Sequence, residues 1–570
     1  MRRMHRMLKV WNALKRMTRS SSKSHSPIVA RALTCACVLG FIASTSLHAQ
    51  LPIGNGIDDR VAAGGDVEQY LRALQVAGLA PQQPWSIRPF SPGQLDRLIS
   101  TDSTHPWSAY LQKPTKSDGE LYLIAPKLQT FYNTSFPYGY NDGPVWVGRG
   151  LTTAVDFGFG GRYGPLSFVI APEAFRAENQ GFGLQPSALS NIPVGLEGEF
   201  SDPFSPIEID QPQRFGTKAY QRLDPGQSTV RLDIWHMAVG VGTEDQFWGP
   251  AVTNPILLGN NAAGFRHLFA GVRSLNLGVA HLDANVVWGQ LDQSFLMPDV
   301  QGTRKRFMSG LVATATINAL PGLEFGFGRF FETIWPDSGL THDDFLRPFN
   351  AFFKATRAQQ IGGTGDEPDN QLASIFARWM FPGAGVEIYG EYGREDYNAD
   401  LPDLIGEPDH DASYMIGLQR VWKRKNAQLI ALRGEVLNTR MTSLNIVRGQ
   451  APFYEHTPVA QGFTEQGQVL GAFGAHGGGA ANISVDWYRP DGKWTFEWSR
   501  TALGERVATG PNGPQAIGSL TEVMHALSAE RLLFWDRYTI TLGLDEVFKF
   551  NETPNSVVGN TRVRAGIALR

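Results

Sequence analysis

The chain has little cysteine, only two residues in 570, Cys35 and Cys37, and both lie near the N-terminus. Everything after residue 37 therefore has no thiol, which excludes disulfide frameworks, thiol catalysis and cysteine-ligated metals there. Charged residues are also scarce, at 18%, where a typical soluble domain has roughly 25%. After about residue 45 no apolar run approaches the roughly 18 residues of a membrane-spanning helix, which excludes a bundle of helical spans.

The first 49 residues have the composition of an export signal. They hold nine basic residues and no acidic one, then an apolar run over residues 32–43 and a cleavage site after Ala49. This pattern predicts a signal peptide over residues 1–49, and the apolar run is short for the alternative, a membrane anchor. Without the nine leader charges, 42 basic residues face 54 acidic ones, a net charge of about −12. Nucleic acid is therefore not expected as a partner.

Residues 50–120 are predicted to form a short periplasmic helical segment. A first helix is expected to be capped by Asp66 and to end at Gly78. A second is expected to open at Ser91, with Pro92 at its first position and Gln94 at the capping-box position. A third helix is suggested by Trp107, Tyr110 and Leu111.

From residue 121 to the end, apolar residues alternate with polar ones, the period of β-strands with one apolar face. Eight hairpins are expected to turn at Arg162-Tyr163-Gly164-Pro165, Asp224-Pro225-Gly226, Ser274-Leu275-Asn276, Leu320-Pro321-Gly322, Phe381-Pro382-Gly383, Lys423-Arg424-Lys425-Asn426, Arg489-Pro490-Asp491-Gly492 and Trp535-Asp536-Arg537. A lone strand at 121–133 and another at 561–570 bring the expected total to about eighteen.

All the tight turns then fall at one end of the sheet, and all the long connections fall at the other. An even number of antiparallel strands with this asymmetry is typical of an outer-membrane barrel, an all-β fold that must close because lipid cannot satisfy backbone amides. The domain prediction is therefore a barrel over residues 121–570, and the alternative is a soluble β-sandwich or propeller. An aromatic girdle beside the short turns is expected from Trp379, Trp422, Trp487, Trp494, Trp535 and Tyr538.

Charged residues that stand opposite the apolar face are expected to point into the barrel. They are Asp233, Arg304, Arg306, Arg378, Arg433, Glu435, Asp486, Glu497, Arg500 and Arg531. Their mixed signs predict ion-pair networks in a filled or narrow lumen.

Catalytic motifs are largely missing, since the sequence has no zinc-binding His-Glu-x-x-His, no nucleophile elbow and no phosphate loop. The pairs Asp409-His410 and His342-Asp343 leave an outer-membrane hydrolase as a third hypothesis. The prediction is a protein that is not an enzyme and that has no cofactor or metal.

One segment is unlike ordinary loop sequence. It runs Gly242-Thr243-Glu244-Asp245-Gln246-Phe247-Trp248-Gly249-Pro250 and continues through Asn260-Asn261-Ala262 to Phe265-Arg266-His267-Leu268. This run resembles the central signature of the Wzi-type capsule assembly proteins of the bacterial outer membrane, and the helix around Asp66 resembles their N-terminal part. The resemblance covers the chain from about Asp58 to its end. It implies an eighteen-stranded barrel with a helical bundle at its periplasmic end, which attaches or organises capsular polysaccharide in a lectin-like way without catalysis.

Sugar sites combine an aromatic platform with carboxylates or amides. Residues of these types make the predicted polysaccharide-binding set Glu244, Asp245, Trp248, Asn260 and Asn261. In the alternative, these residues have a structural role. The glycine and asparagine positions form tight turns, and Trp248 packs the loop into the lumen. Further candidates are Trp335, Tyr397 and the Phe453-Tyr454-Glu455-His456 cluster.

The functional prediction is a surface barrel for capsular or extracellular polysaccharide, with its loops facing the cell exterior. Its alternative is a passive diffusion channel. The expected partners are the polysaccharide and outer-membrane lipid, and the expected state is a monomer.

Overall fold

The computed structural model describes residues 61–99, 104–111, 120–182, 218–294, 305–350, 369–395, 401–442, 452–456, 459, 462–503, 507–510, 513–516, 522–550 and 556–569. The predicted signal peptide, Arg304 and Tyr397 lie outside these residues.

Within the described residues, the strands form one closed antiparallel barrel of 18 strands. They are β1 (Glu120–Asn133), β2 (Gly150–Tyr163), β3 (Leu166–Ile170 and Glu173–Ala177), β4 (Tyr220–Asp224 and Thr229–Ile234), β5 (Met237–Gly242), β6 (Arg266–Asn276), β7 (Ala280–Asp292), β8 (Lys305–Ile317), β9 (Leu323–Ile334), β10 (Asp369–Phe381), β11 (Val386–Glu395), β12 (Ala412–Arg424), β13 (Gln428–Asn438), β14 (Gly479–Arg489), β15 (Gly492–Leu503), β16 (Glu522–Trp535), β17 (Tyr538–Phe550) and β18 (Val557–Leu569).

The first and last strands close the barrel. Phe131 of β1 stands opposite Thr152 of β2 on one side and opposite Arg564 of β18 on the other. Closure leaves no strand edge with unpaired backbone amides, as a sheet in lipid requires. The predicted fold class and strand number are confirmed.

Short turns join the strands at one end of the barrel, and the long connections lie at the other. The hairpin at residues 489–492 has the predicted register, with Ile483 opposite Trp498 and Trp487 opposite Trp494. The turns predicted near residues 162–165, 320–322, 381–383, 423–426 and 535–537 also lie between paired strands.

Two predicted turns are misplaced. Asp224-Pro225-Gly226 interrupts β4 without reversing it, because Asp224 pairs with β3 and Thr229 resumes the same pairing. Proline cannot donate to a ladder, and Gly226 has φ +60°, so the strand bulges here. The chain reverses instead after Ile234, where Trp235 has φ +54°.

The other misplaced turn is Ser274-Leu275-Asn276, which is also a bulge. Ser274 has φ +50°, and the pairing of β6 with β7 shifts register between Val272 and Leu275. Strand β6 continues to Asn276, and the turn follows at residues 277–279 with Gly278 at φ +83°.

The two faces of the wall differ as predicted. Apolar side chains point outward, and Trp379 and Trp535 beside the short turns are 37% and 65% exposed. The predicted lumen residues Arg306, Arg378, Arg433, Glu435 and Asp486 are buried inside. In the described part of the chain, no helix has the length and apolar character needed to cross a membrane.

The N-terminal residues 61–99 and 104–111, which we call the N-terminal segment, lie at the short-turn end, where they pack on inward side chains of the wall. Helix α1 is Asp66–Val76, with Gly65 rather than Asp66 as its N-cap, and Gly78 follows its end with φ +68°. Helix α2 is Pro92–Leu98 and has the predicted capping box of Ser91 and Gln94. Their apolar cluster includes Met380, Val421, Leu429, Tyr488 and Leu532 of the wall.

The predicted third helix is wrong. The described residues 104–111 form hydrogen-bonded turns, in which the amides of Tyr110 and Leu111 both donate to the carbonyl oxygen of Trp107. A stretch this short cannot propagate a helix on its own. It is held instead by the Trp107 ring, which stacks on Tyr70 at 4.1 Å between ring centroids.

Candidate functional site

The connection between β5 and β6, residues 243–265, folds into the barrel, and we call it the inner loop. Its side chains Phe247, Trp248, Ile256 and Leu257 are 0% exposed. They form one apolar core with inward residues of the wall, among them Val287, Met308, Phe330, Leu372 and Met415. The inner loop therefore occupies the lumen.

A two-stranded sheet joins the inner loop to the N-terminal segment. Ile87 pairs with Trp248, and Arg88 pairs with Phe247. The Arg88 guanidinium, 1% exposed, donates to the carbonyl oxygens of Gly249 (3.0 Å) and Ala251 (2.9 Å). It also pairs with the Glu68 carboxylate of α1 at 2.5 Å. The two segments are thus tied through one buried arginine.

Carboxylates of the wall hold the inner loop from the other side. Glu435 on β13 is 1% exposed and accepts the backbone N–H groups of Val252 (2.6 Å), Thr253 (3.0 Å) and Asn254 (3.0 Å). The Tyr389 hydroxyl donates to it at 2.8 Å. One carboxylate therefore satisfies three consecutive amides that would otherwise be buried without partners.

The same arrangement fixes the N-terminal segment. Glu324 on β9 accepts the backbone N–H groups of Trp85 and Ser86, both at 2.8 Å. Glu387 on β11 accepts from Arg72 of α1 and from Arg378 of β10, both at 2.7 Å. Glu324 and Glu387 are not among the residues predicted from the sequence, although their inward position in the alternating pattern was the available signal.

A second connection covers the inner loop from the long-connection end. Within its described residues (452–456, 459 and 462–475), Tyr454 is 0% exposed and its hydroxyl donates to the carbonyl oxygen of Ile256 at 2.5 Å. Arg306 of the wall donates to the carbonyl oxygens of Gly462 and Thr464, both at 2.6 Å. Tyr454, one of the further sugar candidates, is thus a buried loop anchor in this structure.

The predicted binding set lies together on the inner loop, mostly buried. The Trp248 ring packs on Gly310, where an added Cβ would lie 2.6 Å from a ring atom. Asn261 donates to the Val469 carbonyl oxygen at 2.9 Å, and Asn260 donates to that of Ala63 at 3.1 Å. These contacts are those of the structural alternative, and the binding role of the set stays a prediction.

The lumen keeps a cavity of about 490 Å³, lined by both polar and apolar side chains, between the N-terminal segment, the inner loop and the inner faces of β1, β2, β16, β17 and β18. Its polar lining includes Lys127, Gln129, Asp156, Glu173, Asp245 and Asn260. The Oδ1 atoms of Asp245 and Asn260 are buried without a hydrogen-bond partner. Its size falls within the roughly 300–1,000 Å³ of small-molecule sites.

Two acids of the inner loop are buried with little compensating charge. Burial raises the pKa of Glu244 to about 7, and the nearby Arg231 only partly offsets this effect. Burial also raises the pKa of Asp245 to about 7, against a hydrogen bond from Gln227 that lowers it. Both side chains are therefore largely protonated below neutral pH.

We expect the inner loop to be held less firmly at alkaline pH. A carboxyl with a raised folded-state pKa binds more protons when folded, so its contribution is complete below the unfolded pKa near 4 and is lost as the pH rises through about 7. Each group loses on the order of 3 kcal/mol, at about 1.4 kcal/mol per pKa unit. Amide protection factors over residues 243–265, corrected for intrinsic exchange, should fall between pH 5 and pH 8. Equal protection at both values would contradict the assignment.

The histidine–carboxylate pairs within 4.0 Å in the described residues each lie in one connection. They are His342–Asp343 (3.9 Å), His410–Asp411 (2.7 Å) and His476–Glu455 (2.5 Å). The predicted pair of Asp409 with His410 is replaced by Asp411. Among the described residues there is no group of three or more histidine or acidic side chains placed to hold a metal ion.

A closed barrel of 18 antiparallel strands with an apolar outer wall defines an outer-membrane β-barrel. The sequence matches the profile of the family Capsule assembly protein Wzi over residues 137–534, well over half of its length. The chain belongs to the Wzi capsule assembly family, and it is an outer-membrane protein whose long connections face the cell exterior.

The matches among solved structures include one with the same fold. The Escherichia coli outer-membrane protein Wzi, described as a carbohydrate-binding β-barrel involved in group 1 capsule assembly, matches with a TM-score of 0.60 and 14% identity, over 89% of this chain and 98% of that one. Pseudomonas aeruginosa OpdK matches with a TM-score of 0.38 and 11% identity, over 78% of this chain and 97% of that one. No curated protein sequence matches significantly.

Proposed function

We propose that this capsule assembly barrel binds capsular polysaccharide in a lectin-like way, without catalysis, and so attaches or organises it at the cell surface. The observation that carries the proposal is the filled lumen. The inner loop, residues 452–475 and the N-terminal segment share buried contacts with the wall. A barrel filled by its own chain is suited to binding at its ends and in its remaining cavity.

The passive channel is the second candidate, and the same observation disfavours it. Diffusion needs a continuous water-filled path, whereas Trp248, Leu257, Phe330 and Tyr454 are buried together in the middle of the lumen. Opening a path would expose this apolar core, at about 25 cal/mol per Å² of apolar surface.

The experiment that tests the role in the cell is deletion of the encoding gene, followed by separate assays of surface-retained and shed polysaccharide. We expect the retained fraction to fall and the shed fraction to rise, with restoration by the wild-type gene. Unchanged retention would overturn the proposal.

Within the predicted binding set we propose Asp245 and Asn260 as the sugar ligands, because both line the lumen cavity and have an unpartnered oxygen. Asp245→Asn is expected to weaken saccharide binding about fivefold, because an amide group replaces one carboxyl oxygen and a net hydrogen bond is worth about 1 kcal/mol. Carbohydrate arrays measure this, with Asp96→Asn as the matched control because Asp96 pairs with Arg162 outside the cavity. Undiminished binding by Asp245→Asn would remove Asp245 from the proposed site. Undiminished binding by Trp248→Ala would likewise remove Trp248 from it.

A further inference from the structure

Two of the long connections bend back over the outer wall of the barrel. The first follows β9 and contains helix α3 (His342–Leu346) and a 3-10 turn (Arg347–Phe349). The carbonyl oxygen of Phe345 accepts from the Trp288 indole at 2.9 Å, and its ring lies 5.4 Å from that of Phe307. Trp288 and Phe307 point outward, because their neighbours Val287 and Met308 belong to the core in the lumen.

Polar contacts fix this connection against the wall. Arg329, also outward, donates to the carbonyl oxygen of Pro348 at 3.3 Å and to the Gln371 side chain at 2.6 Å. Arg347 pairs with Asp369 at 2.6 Å. The bent-back position is thus held by buried or half-buried charged groups as well as by aromatic packing.

The second connection, described over residues 401–411, has helix α4 (Leu401–Gly406). The carbonyl oxygen of Pro408 accepts from the hydroxyl of Tyr392 at 2.6 Å and from the hydroxyl of Tyr414 at 3.4 Å. Arg394 donates to the carbonyl oxygens of Glu407 and Pro408, both at 3.2 Å. These three side chains belong to the outer faces of β11 and β12.

Both connections expose large apolar side chains: Phe345 (37%), Leu346 (41%), Phe349 (56%), Leu401 (52%) and Ile405 (70%). Such a group of exposed apolar residues marks a surface that meets something apolar. Because the connections lie on the outer wall at the cell-exterior end, that surface is at the level of the outer leaflet.

A groove of about 860 Å³ runs across the outer wall, from Leu282, Ala315 and Phe325 near the short turns to Tyr392 and Tyr414 near the long connections. Small side chains, Ala313, Ala315 and Ala377, leave it open between the larger Phe325, Phe327, Ile375 and Ile416. Tyr392 and Tyr414, which hold the second connection, also line it. The carboxylate of its lining residue Glu391 faces inward, where it accepts from the Ile256 amide. The lining that faces the membrane is therefore apolar.

We propose that this groove and the two bent-back connections bind an acyl chain of an outer-leaflet lipid. The groove faces hydrocarbon, its membrane side carries no charge, and the exposed apolar residues of α3 and α4 extend it toward the leaflet surface. The bound lipid anchors the barrel at a fixed depth and holds the two connections against the wall. This site is independent of the proposed polysaccharide binding.

The test is native mass spectrometry of the full chain in detergent, titrated with lipopolysaccharide as the acyl-chain probe. We expect one lipid bound per wild-type chain, and at least tenfold weaker binding when the groove is filled by Ala313→Phe with Ala377→Phe. Ala565→Phe on β18, remote from the groove, is the matched control and should bind as wild type does. Resistance to unfolding in cold detergent gels confirms that each barrel is folded.

A second pair of variants removes apolar contacts without filling the groove. Phe349→Ser with Ile405→Ser changes only exposed side chains of the connections, so the barrel folds, and lipid affinity should fall. A wild-type chain that binds no lipid, equal binding by both double variants and wild type, or a dimer formed through this face in place of lipid would each overturn the proposal.

Discussion

Replacing Glu435 with alanine is expected to loosen the inner loop and to produce brief ion-conducting openings. Three consecutive amides, those of Val252, Thr253 and Asn254, would lose their acceptor inside the barrel. Each orphaned buried donor costs about 1–3 kcal/mol, so the loop should be destabilised by about 3 kcal/mol or more. At about 1.4 kcal/mol per tenfold change, its open population rises roughly a hundredfold.

Planar-bilayer recording and amide exchange over residues 249–258 measure these effects together. The matched control is Glu546→Gln, because Glu546 is an exposed carboxylate that hydrogen bonds to the hydroxyl of Thr561. This control should have the same low conductance and the same amide exchange as wild type. If Glu435→Ala has wild-type exchange in the inner loop, then the carboxylate does not hold that loop.

Removal of Arg88 is expected to release the inner loop and helix α1 together. In Arg88→Ala the buried Glu68 carboxylate loses its ion-pair partner and the carbonyl oxygens of Gly249 and Ala251 lose a donor. Breaking a buried pair by removing one partner costs about 3–5 kcal/mol. Amide exchange should therefore speed up in both residues 66–76 and residues 247–252.

Arg97→Ala is the control for this prediction, since Arg97 is an exposed arginine of the same segment that donates to Ser274 at 3.4 Å. Its effect on stability should stay within about 0.5 kcal/mol. Faster exchange confined to α1 would show that the wall alone holds the inner loop. That result would contradict the coupling of the two segments through Arg88.

The barrel wall could be predicted from the sequence because alternation of side chains is a local property of each strand. The pairs of β14 with β15 and of β8 with β9 have the registers that the apolar pattern and turn residues indicate. The pattern misled where a turn signal stands inside a strand. Asp224-Pro225-Gly226 has turn chemistry, but the neighbouring β3 continues past it and keeps both halves of β4 in one strand.

The lumen could be predicted only in part. Strand parity placed Arg306, Arg378 and Glu435 inside, and the structure confirms them. Arg378 has a nearby partner, Glu387 on the next strand. Glu435 instead accepts from Val252, which is 183 residues earlier in the chain, and no local sequence pattern indicates such a contact. The inner loop has the residue types of a sugar site, but the same tryptophan and asparagines can pack a lumen. Trp248 does so here.

Conductance of the purified wild-type chain in planar bilayers is the most direct test of whether the lumen is filled. The lumen is occupied by the inner loop, by the connection that contains Tyr454 and by the N-terminal segment. Such a barrel should insert without a large, persistent conductance. Stable openings of porin size in most insertions would contradict a filled lumen and would favour a passive diffusion channel.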